Sequence, residues 1–393
     1  MNLVERLLAR ANLKRTAPPS AAVTPPGAID ARIGAIINDA LTSAGLQRGD
    51  APAGSVTGII DDALTRAGLR PPAVAPVASP APRLPGTSAP SVPNVLVGIP
   101  TPADAAQGQF LSKSFAGPAG TLAYKLYLPA GYDASAARTY PLVVMLHGCT
   151  QSPDDFAAGT RMNALADEHG LLVAYPAQSA NANGSKCWNW FRPQDQARGT
   201  GEPAMIAGMT SQLLADTRVD ATRVYVAGLS AGAAMAVVLG RTYPELYAAI
   251  GAHSGLPYAA ASDVGSAFAA MKSGAKRPQG PPAAHTRVPT IVFHGDRDAT
   301  VSLTNGAAIV AQATGADPAG VLATSQDTGT ASGGRGYTRT EYRDASGMVV
   351  VEDWRVHGGG HAWMGGSATG SYTDPQGPNA SVEMVRFFLQ HSN

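Results

Sequence analysis

The chain has 393 residues, 15% of them charged, and a formal net charge of +1. That length holds one large domain plus something smaller. The near-neutral balance gives no basic footprint for a nucleic acid, and no apolar run reaches the roughly 20 residues needed to cross a bilayer.

Residues 1–95 differ from the rest. Ile36 to Gln47 recurs as Ile59 to Arg70, with a weaker third copy from Leu3 to Lys14. Each copy has apolar residues at helical spacing and ends in Gly or Asn followed by Leu, a helix C-cap pattern. Asp30 and Thr57 are candidate N-caps. The segment therefore reads as three short amphipathic helices joined by Pro/Ala-rich linkers, with 71–95 as an extended spacer. Helices this short are marginal alone in water. They are expected either to pair loosely with one another or to act as a tether over 1–70 that lays its apolar faces on a hydrophobic surface, whether the catalytic domain, a lipid boundary or a partner protein. Glu5, Arg6 and Arg10 interrupt the stretch where a secretion signal needs an apolar core. The expected location is therefore cytoplasmic, with secretion as the alternative.

From 96 to 393 the pattern is α/β. Strands are predicted at 122–128 (an early edge strand), 141–146, 171–175 and 223–227. Further strands are predicted at 290–294, 337–342 and 349–354. Helices are predicted at 161–166, 203–217, 233–239, 306–313 and 381–390. Such alternation implies a mainly parallel sheet with helices on both faces. Ligands in such sheets sit at the carboxyl ends of the strands.

Gly228-Leu229-Ser230-Ala231-Gly232 lies between the strand at 223–227 and the helix at 233–239. Strand, Gly-x-Ser-x-Gly, helix is the setting of a nucleophile elbow, as in the α/β-hydrolase fold. The turn is tight, so the residues around the serine must be small. The next N–H, at Ala231, opens a helix and can stabilise an oxyanion.

A serine nucleophile needs a base, and the base needs a group to orient it. After Ser230 come two fitting segments, His294 to Val301 and His357 to Trp363. Asp296 and Asp298 both suit the orienting role. Asp298 is preferred because it lies deeper in its loop, before the apolar Val301. His361 is preferred as base because glycines precede it and let its loop reach back. His357, at a strand end, is assigned a structural role. After the strand at 141–146, His147-Gly148-Cys149-Thr150 offers a second oxyanion donor, the N–H of Cys149 with Thr150 next. A thiol mechanism through Cys149 and His147 is the minor alternative. Cys187-Trp188-Asn189-Trp190-Phe191 is unusually aromatic. It reads equally as a core cluster or, with Trp363, as an apolar wall that binds substrate. The two cysteines, too few for a disulfide scaffold and without metal-ligand spacing, fit either one bridge or two buried thiols.

These pieces in this order resemble the poly(3-hydroxybutyrate) depolymerase and feruloyl-esterase-like group of α/β-hydrolases. The matching motifs are Leu146 to Gln151, Cys187 to Phe191, Gly228 to Met235, His294 to Val301 and Gly360 to Trp363, within roughly 108–390. The resemblance implies an ester hydrolase with catalytic Ser230, Asp298 and His361, an oxyanion held by Cys149 and Ala231, a Cys149–Cys187 disulfide, and no metal or organic cofactor. The implied substrate is a short-chain polyhydroxyalkanoate. Feruloyl, acetyl or small soluble esters are the alternative, and a non-catalytic granule-binding protein is the alternative of another class. Ala233 stands where the group usually has Gly. The group's polymer-binding domain and secretion signal are not recognisable, which favours its intracellular members, which act on storage granules; the resemblance thus implies a granule surface as the partner of the repeats at 1–70.

Overall fold

The computed structural model describes residues 108–275, 287–315 and 322–393. The repeats and spacer of 1–95, and the boundary drawn after them, lie outside the described residues.

The described chain opens with a hairpin, β1 (Gln109–Gly117) and β2 (Gly120–Leu128), followed by β3 (Tyr140–Leu146). Two short helices follow, α1 (Pro153–Thr160) and α2 (Met162–His169), then β4 (Leu172–Pro176). After them come α3 (Gly201–Asp216), β5 (Val219–Leu229), α4 (Ala231–Thr242) and β6 (Ala249–His253). Next are α5 (Val264–Ser273), β7 (Thr290–Gly295) and α6 (Leu303–Thr314). The last part holds β8 (Ala323–Thr330), β9 (Gly336–Arg343), β10 (Val349–Val356), the two-residue strands β11 (Trp363–Met364) and β12 (Thr373–Asp374), and α7 (Ala380–Phe388).

Ten strands form one sheet in the order β1-β2-β4-β3-β5-β6-β7-β10-β9-β8. The run from β4 to β10 is parallel; the flanking pairs are antiparallel. The central strands are apolar throughout because both faces are covered. In β3 the period of two is plain. Leu142, Val144 and Leu146 join the core of Ile206, Met209 and Leu213 from α3 and Leu239 from α4. Val143 and Met145 join Met162 from α2 and Phe387 and Phe388 from α7 on the other face. Alternate side chains of a strand point to opposite faces, so each strand contributes to both cores.

Residues 122–128 were expected at the sheet edge, but β1 pairs outside them. Pattern reading also misses α1, β6, α5 and β8. β8 is polar and almost wholly exposed, so no apolar alternation marks it. β6 is small and short, Ala-Ile-Gly-Ala-His, and its burial comes from its neighbours. Among the described residues no helix is long and apolar enough to cross a membrane.

Candidate active site

β5 ends at Leu229 and α4 starts at Ala231, so Ser230 alone makes the turn. Its backbone sits at φ 58°, ψ −119°, a sparsely populated region whose strain is about 1–3 kcal/mol for a residue with a Cβ. The strain is held by packing. A Cβ on Gly232 would lie 2.0 Å from the Leu146 carbonyl oxygen, and one on Gly228 would lie 2.4 Å from the Gly232 carbonyl carbon. The elbow therefore seats directly on the end of β3. The Ser230 N–H donates to the His253 carbonyl at the end of β6, at 2.9 Å. The methyl of Ala233 has room because its neighbour Gly255 lacks a side chain; a Cβ there would lie 2.6 Å away.

Two backbone N–H groups are available beside this serine. That of Ala231 is the first in α4 and has no intrahelical acceptor. That of Cys149 donates to no acceptor among the described residues, whereas the Thr150 N–H is used by the Ser185 carbonyl at 2.7 Å. Of the two candidates in this loop, Cys149 is the one left free to meet an oxyanion.

The loop carrying Cys149 is fixed from both sides. Cys149 and Cys187 form a disulfide with Cα atoms 4.2 Å apart, which removes the thiol mechanism. The Trp188 Nε1–H donates to the His147 carbonyl at 3.1 Å, and the Gln178 N–H to His147 Nε2 at 3.1 Å. His147 Nδ1 completes the pattern by donating to the Gly148 carbonyl at 2.7 Å. Burial pushes the pKa of this imidazole down to about 4, so it is neutral in this role. On the opposite side the Gly148 N–H donates to Gln151 Oε1 at 2.9 Å, and Gln151 Nε2 donates to Asp155 at 2.9 Å and to the Ser371 carbonyl at 3.1 Å.

Asp298 follows β7 and His361 follows β10, strands that are neighbours in the sheet. His361 Nδ1 donates to Asp298 Oδ2 at 2.7 Å, and both side chains are buried, 7% and 0% exposed. Asp298 Oδ1 accepts from the N–H groups of Thr300 and Val301, at 2.9 and 2.8 Å. Burial works to raise the Asp298 pKa, but the His361 hydrogen bond and charge and the Val301 N–H outweigh it and the net shift is downward. The ionised carboxylate then fixes the imidazole so that its Nε2 is the free nitrogen. The two loops can approach because Gly295 lacks a side chain: a Cβ there would lie 2.3 Å from the Gly359 carbonyl oxygen. Ser230 Oγ and His361 share no hydrogen bond in this state; such contacts often tighten only with substrate bound.

Asp296 is engaged elsewhere. It accepts from His357 Nδ1 at 3.1 Å and from the Gly358 N–H at 2.8 Å, at the exposed end of β10.

The three tryptophans are placed differently from the substrate-wall reading. Trp188, Trp190 and Trp363 are 0%, 5% and 1% exposed and belong to the core. The indole N–H groups of Trp188 and Trp363 are spent on the His147 carbonyl and Ser381 Oγ. Trp363 stacks on His253 and meets Phe156 edge-on. A buried aromatic with a polar tip settles where both are satisfied, and here that place is behind the loops rather than on their surface.

Sequence reasoning also passed over supporting residues. His253 is fully buried below the elbow, accepting from the Met364 N–H at Nε2 and hydrogen-bonded to Ser254 at Nδ1. His294 opens the His294 to Val301 segment, but its place 3.5 Å from Asp298 Oδ2 had no sequence signal. Glu202, a buried carboxylate at the start of α3, had none either.

Among solved structures, the acetyl xylan esterase from Aspergillus awamori matches with a TM-score of 0.55 at 19% identity, over 72% of this chain and all of that one. That likeness shows the α/β-hydrolase fold. Poly(3-hydroxyalkanoate) depolymerase C of Paucimonas lemoignei is 35% identical over 265 residues, 64% of this chain and 61% of that protein. Feruloyl esterase B of Neurospora crassa is 35% identical over 127 residues, 32% of this chain and 42% of that protein. The chain thus spans less than two thirds of the length of these curated relatives. The model of the family described as Esterase PHB depolymerase matches residues 122–321, a span that contains the elbow, the Cys149 loop and Asp298, and the chain belongs to that family.

Proposed function

We propose that this protein is a serine ester hydrolase that cleaves short-chain polyhydroxyalkanoate esters, poly(3-hydroxybutyrate) in particular, through an acyl-enzyme. Ser230 Oγ attacks the ester carbonyl carbon while His361 Nε2 takes its proton. The tetrahedral oxyanion lies between the N–H groups of Cys149 and Ala231, each such donor being worth about 3 kcal/mol in comparable sites. His361 returns the proton to the leaving alkoxide as the carbon–oxygen ester bond breaks. Water, deprotonated by the same imidazole, then hydrolyses the acyl-serine. Asp298 stays ionised and stabilises the imidazolium at each proton transfer. Every step uses side chains and N–H groups of this chain.

The observation that carries this reading is the buried Asp298–His361 pair at 2.7 Å, on the loops that leave β7 and β10 at the same end of the parallel run as the elbow after β5, in a chain of the depolymerase family. The depolymerase relative supports the polyester as substrate. Feruloyl or acetyl esters form the second reading, supported by the feruloyl esterase relative. The amphipathic repeats of 1–70 are the segment we assign to contact with a granule surface. Their deletion should abolish co-sedimentation with granules, and undiminished co-sedimentation would rule that assignment out.

The deciding test is hydrolysis by the full-length protein, with Ser230→Ala as control, on amorphous poly(3-hydroxybutyrate) granules, methyl ferulate and p-nitrophenyl butyrate. Release of 3-hydroxybutyrate oligomers, lost in Ser230→Ala, is the expected result. Activity on the small esters alone would keep the mechanism and replace the substrate. Failure of Ser230 to react with a fluorophosphonate probe would favour a non-catalytic binding protein.

A further inference from the structure

Behind the disulfide loop lies a buried carboxylate that the reaction does not use. Glu202, in the first turn of α3, is 4% exposed. Its Oε1 accepts from Gln178 Nε2 and from Asn189 Nδ2, both at 2.5 Å, and its Oε2 accepts from the Asn189 N–H at 2.7 Å. The orientation of both amides is fixed by further bonds. Gln178 Oε1 accepts from the Ser179 N–H at 2.9 Å, and Asn189 Oδ1 accepts from Asn183 Nδ2 at 3.0 Å. Only donors therefore face the carboxylate, and a group that accepts at both oxygens is required.

These bonds lead to the oxyanion loop by two routes. Gln178 donates its N–H to His147 Nε2 and its Nε2 to the Cys187 carbonyl, at 3.1 and 3.0 Å. Asn189 adjoins Trp188, which holds the His147 carbonyl, and Cys187 is bonded to Cys149. A single buried group thus clamps both chain segments on which His147, Gly148 and Cys149 rest.

We infer that Glu202 is a positioning residue that sets the Cys149 N–H for the oxyanion, acting through Gln178, Asn189 and the Cys149–Cys187 bridge. The inference rests on the esterase reading of the site. Its energetic setting is consistent with a specialised group. Burial, and then the neighbouring Asp195 carboxylate, push the Glu202 pKa up to about 7, against the hydrogen bonds that lower it.

The test is Glu202→Gln in the full chain, a change of nearly equal volume that removes one accepting oxygen. With p-nitrophenyl butyrate, kcat should fall at least about tenfold while KM stays within about twofold, because an oxyanion contact is made mainly in the transition state. The affinity of a boronic acid that forms a tetrahedral adduct on Ser230 should fall by the same factor. A merely structural role would not couple those two numbers. A folded Glu202→Gln protein with unchanged kcat, or with lower kcat and unchanged boronate affinity, would overturn the inference. Should Glu202→Gln not fold, Gln178→Met, which keeps the Gln178 N–H and removes its side-chain donor, is read in the same two ways. A wild type without Ser230-dependent hydrolysis would overturn the esterase reading and this inference together. An active wild type with an unimpaired variant overturns this inference alone.

Discussion

Two histidine–aspartate pairs join the same two loops and behave as opposites. His361–Asp298 is buried, 2.7 Å long, and its carboxylate is also gripped by two backbone N–H groups. His357–Asp296 is 3.1 Å long and lies at the surface, with side chains 46% and 30% exposed. The residue types match, and only two to four positions along the chain separate them. Burial makes the difference. In a low-dielectric setting a fixed carboxylate orients an imidazole and stabilises its charged form, whereas in water the same contact is screened and weak. The surface pair ties the loop ends together; the buried pair is the one shielded from solvent.

The comparison is broken most severely at Asp298. Asp298→Asn keeps the shape but presents an amide to His361, favouring the wrong tautomer. A loss of about 10⁴ in kcat is expected, as in comparable triads, with p-nitrophenyl butyrate turnover as the readout. A fall of less than tenfold would remove Asp298 from the orienting role.

Acid sharpens the comparison next. The Asp298 carboxyl is held below the ordinary range, so its contribution to stability is full above about pH 4 and is lost as pH falls through the lowered value. Asp296 is shifted in the same direction, but its exposure discounts the consequence. Urea midpoints measured from pH 5 down to pH 3 should therefore drop more steeply for the wild type than for Asp298→Asn. Asp296→Asn should track the wild type closely. Equal slopes for all three proteins would count against the buried pair's special standing.

The smallest effect belongs to the surface pair itself. His357→Ala and Asp296→Asn should each leave kcat/KM within about twofold and lower stability by less than about 1 kcal/mol. A catalytic loss comparable to that of Asp298→Asn would mean that the exposed pair positions the His361 loop more strongly than its geometry indicates.

Much of this site is legible in the sequence because its logic is local or ordinal. A serine between small residues, after a β-branched run and before a helix, can only turn sharply, and the clashes that a Cβ on Gly228 or Gly232 would meet show why. Alternating strands and helices imply parallel strands, which bring the loops after 295 and 356 to the same end of the sheet as that turn, and Asp296, Asp298 and His361 stand out there as candidates, with His357 read as structural. The polar edge strand β8 was invisible because nothing in Ala323–Thr330 is buried enough to leave a pattern. The tryptophans were ambiguous for a related reason: an aromatic cluster has the same composition whether it lines a pocket or fills a core.

By itself, then, the sequence determined the α/β alternation, the elbow at Ser230 and the short set of residues able to serve it. These follow from sterics and periodicity, which act over a few residues. The tertiary structure decided which aspartate meets which histidine, which N–H in the Cys149 loop stays free, that Trp188, Trp190 and Trp363 turn inward, and that Glu202 sits behind the disulfide. Those outcomes depend on burial and on partners far along the chain, such as Gln178 with His147 and Asp298 with His361, and no local pattern encodes them.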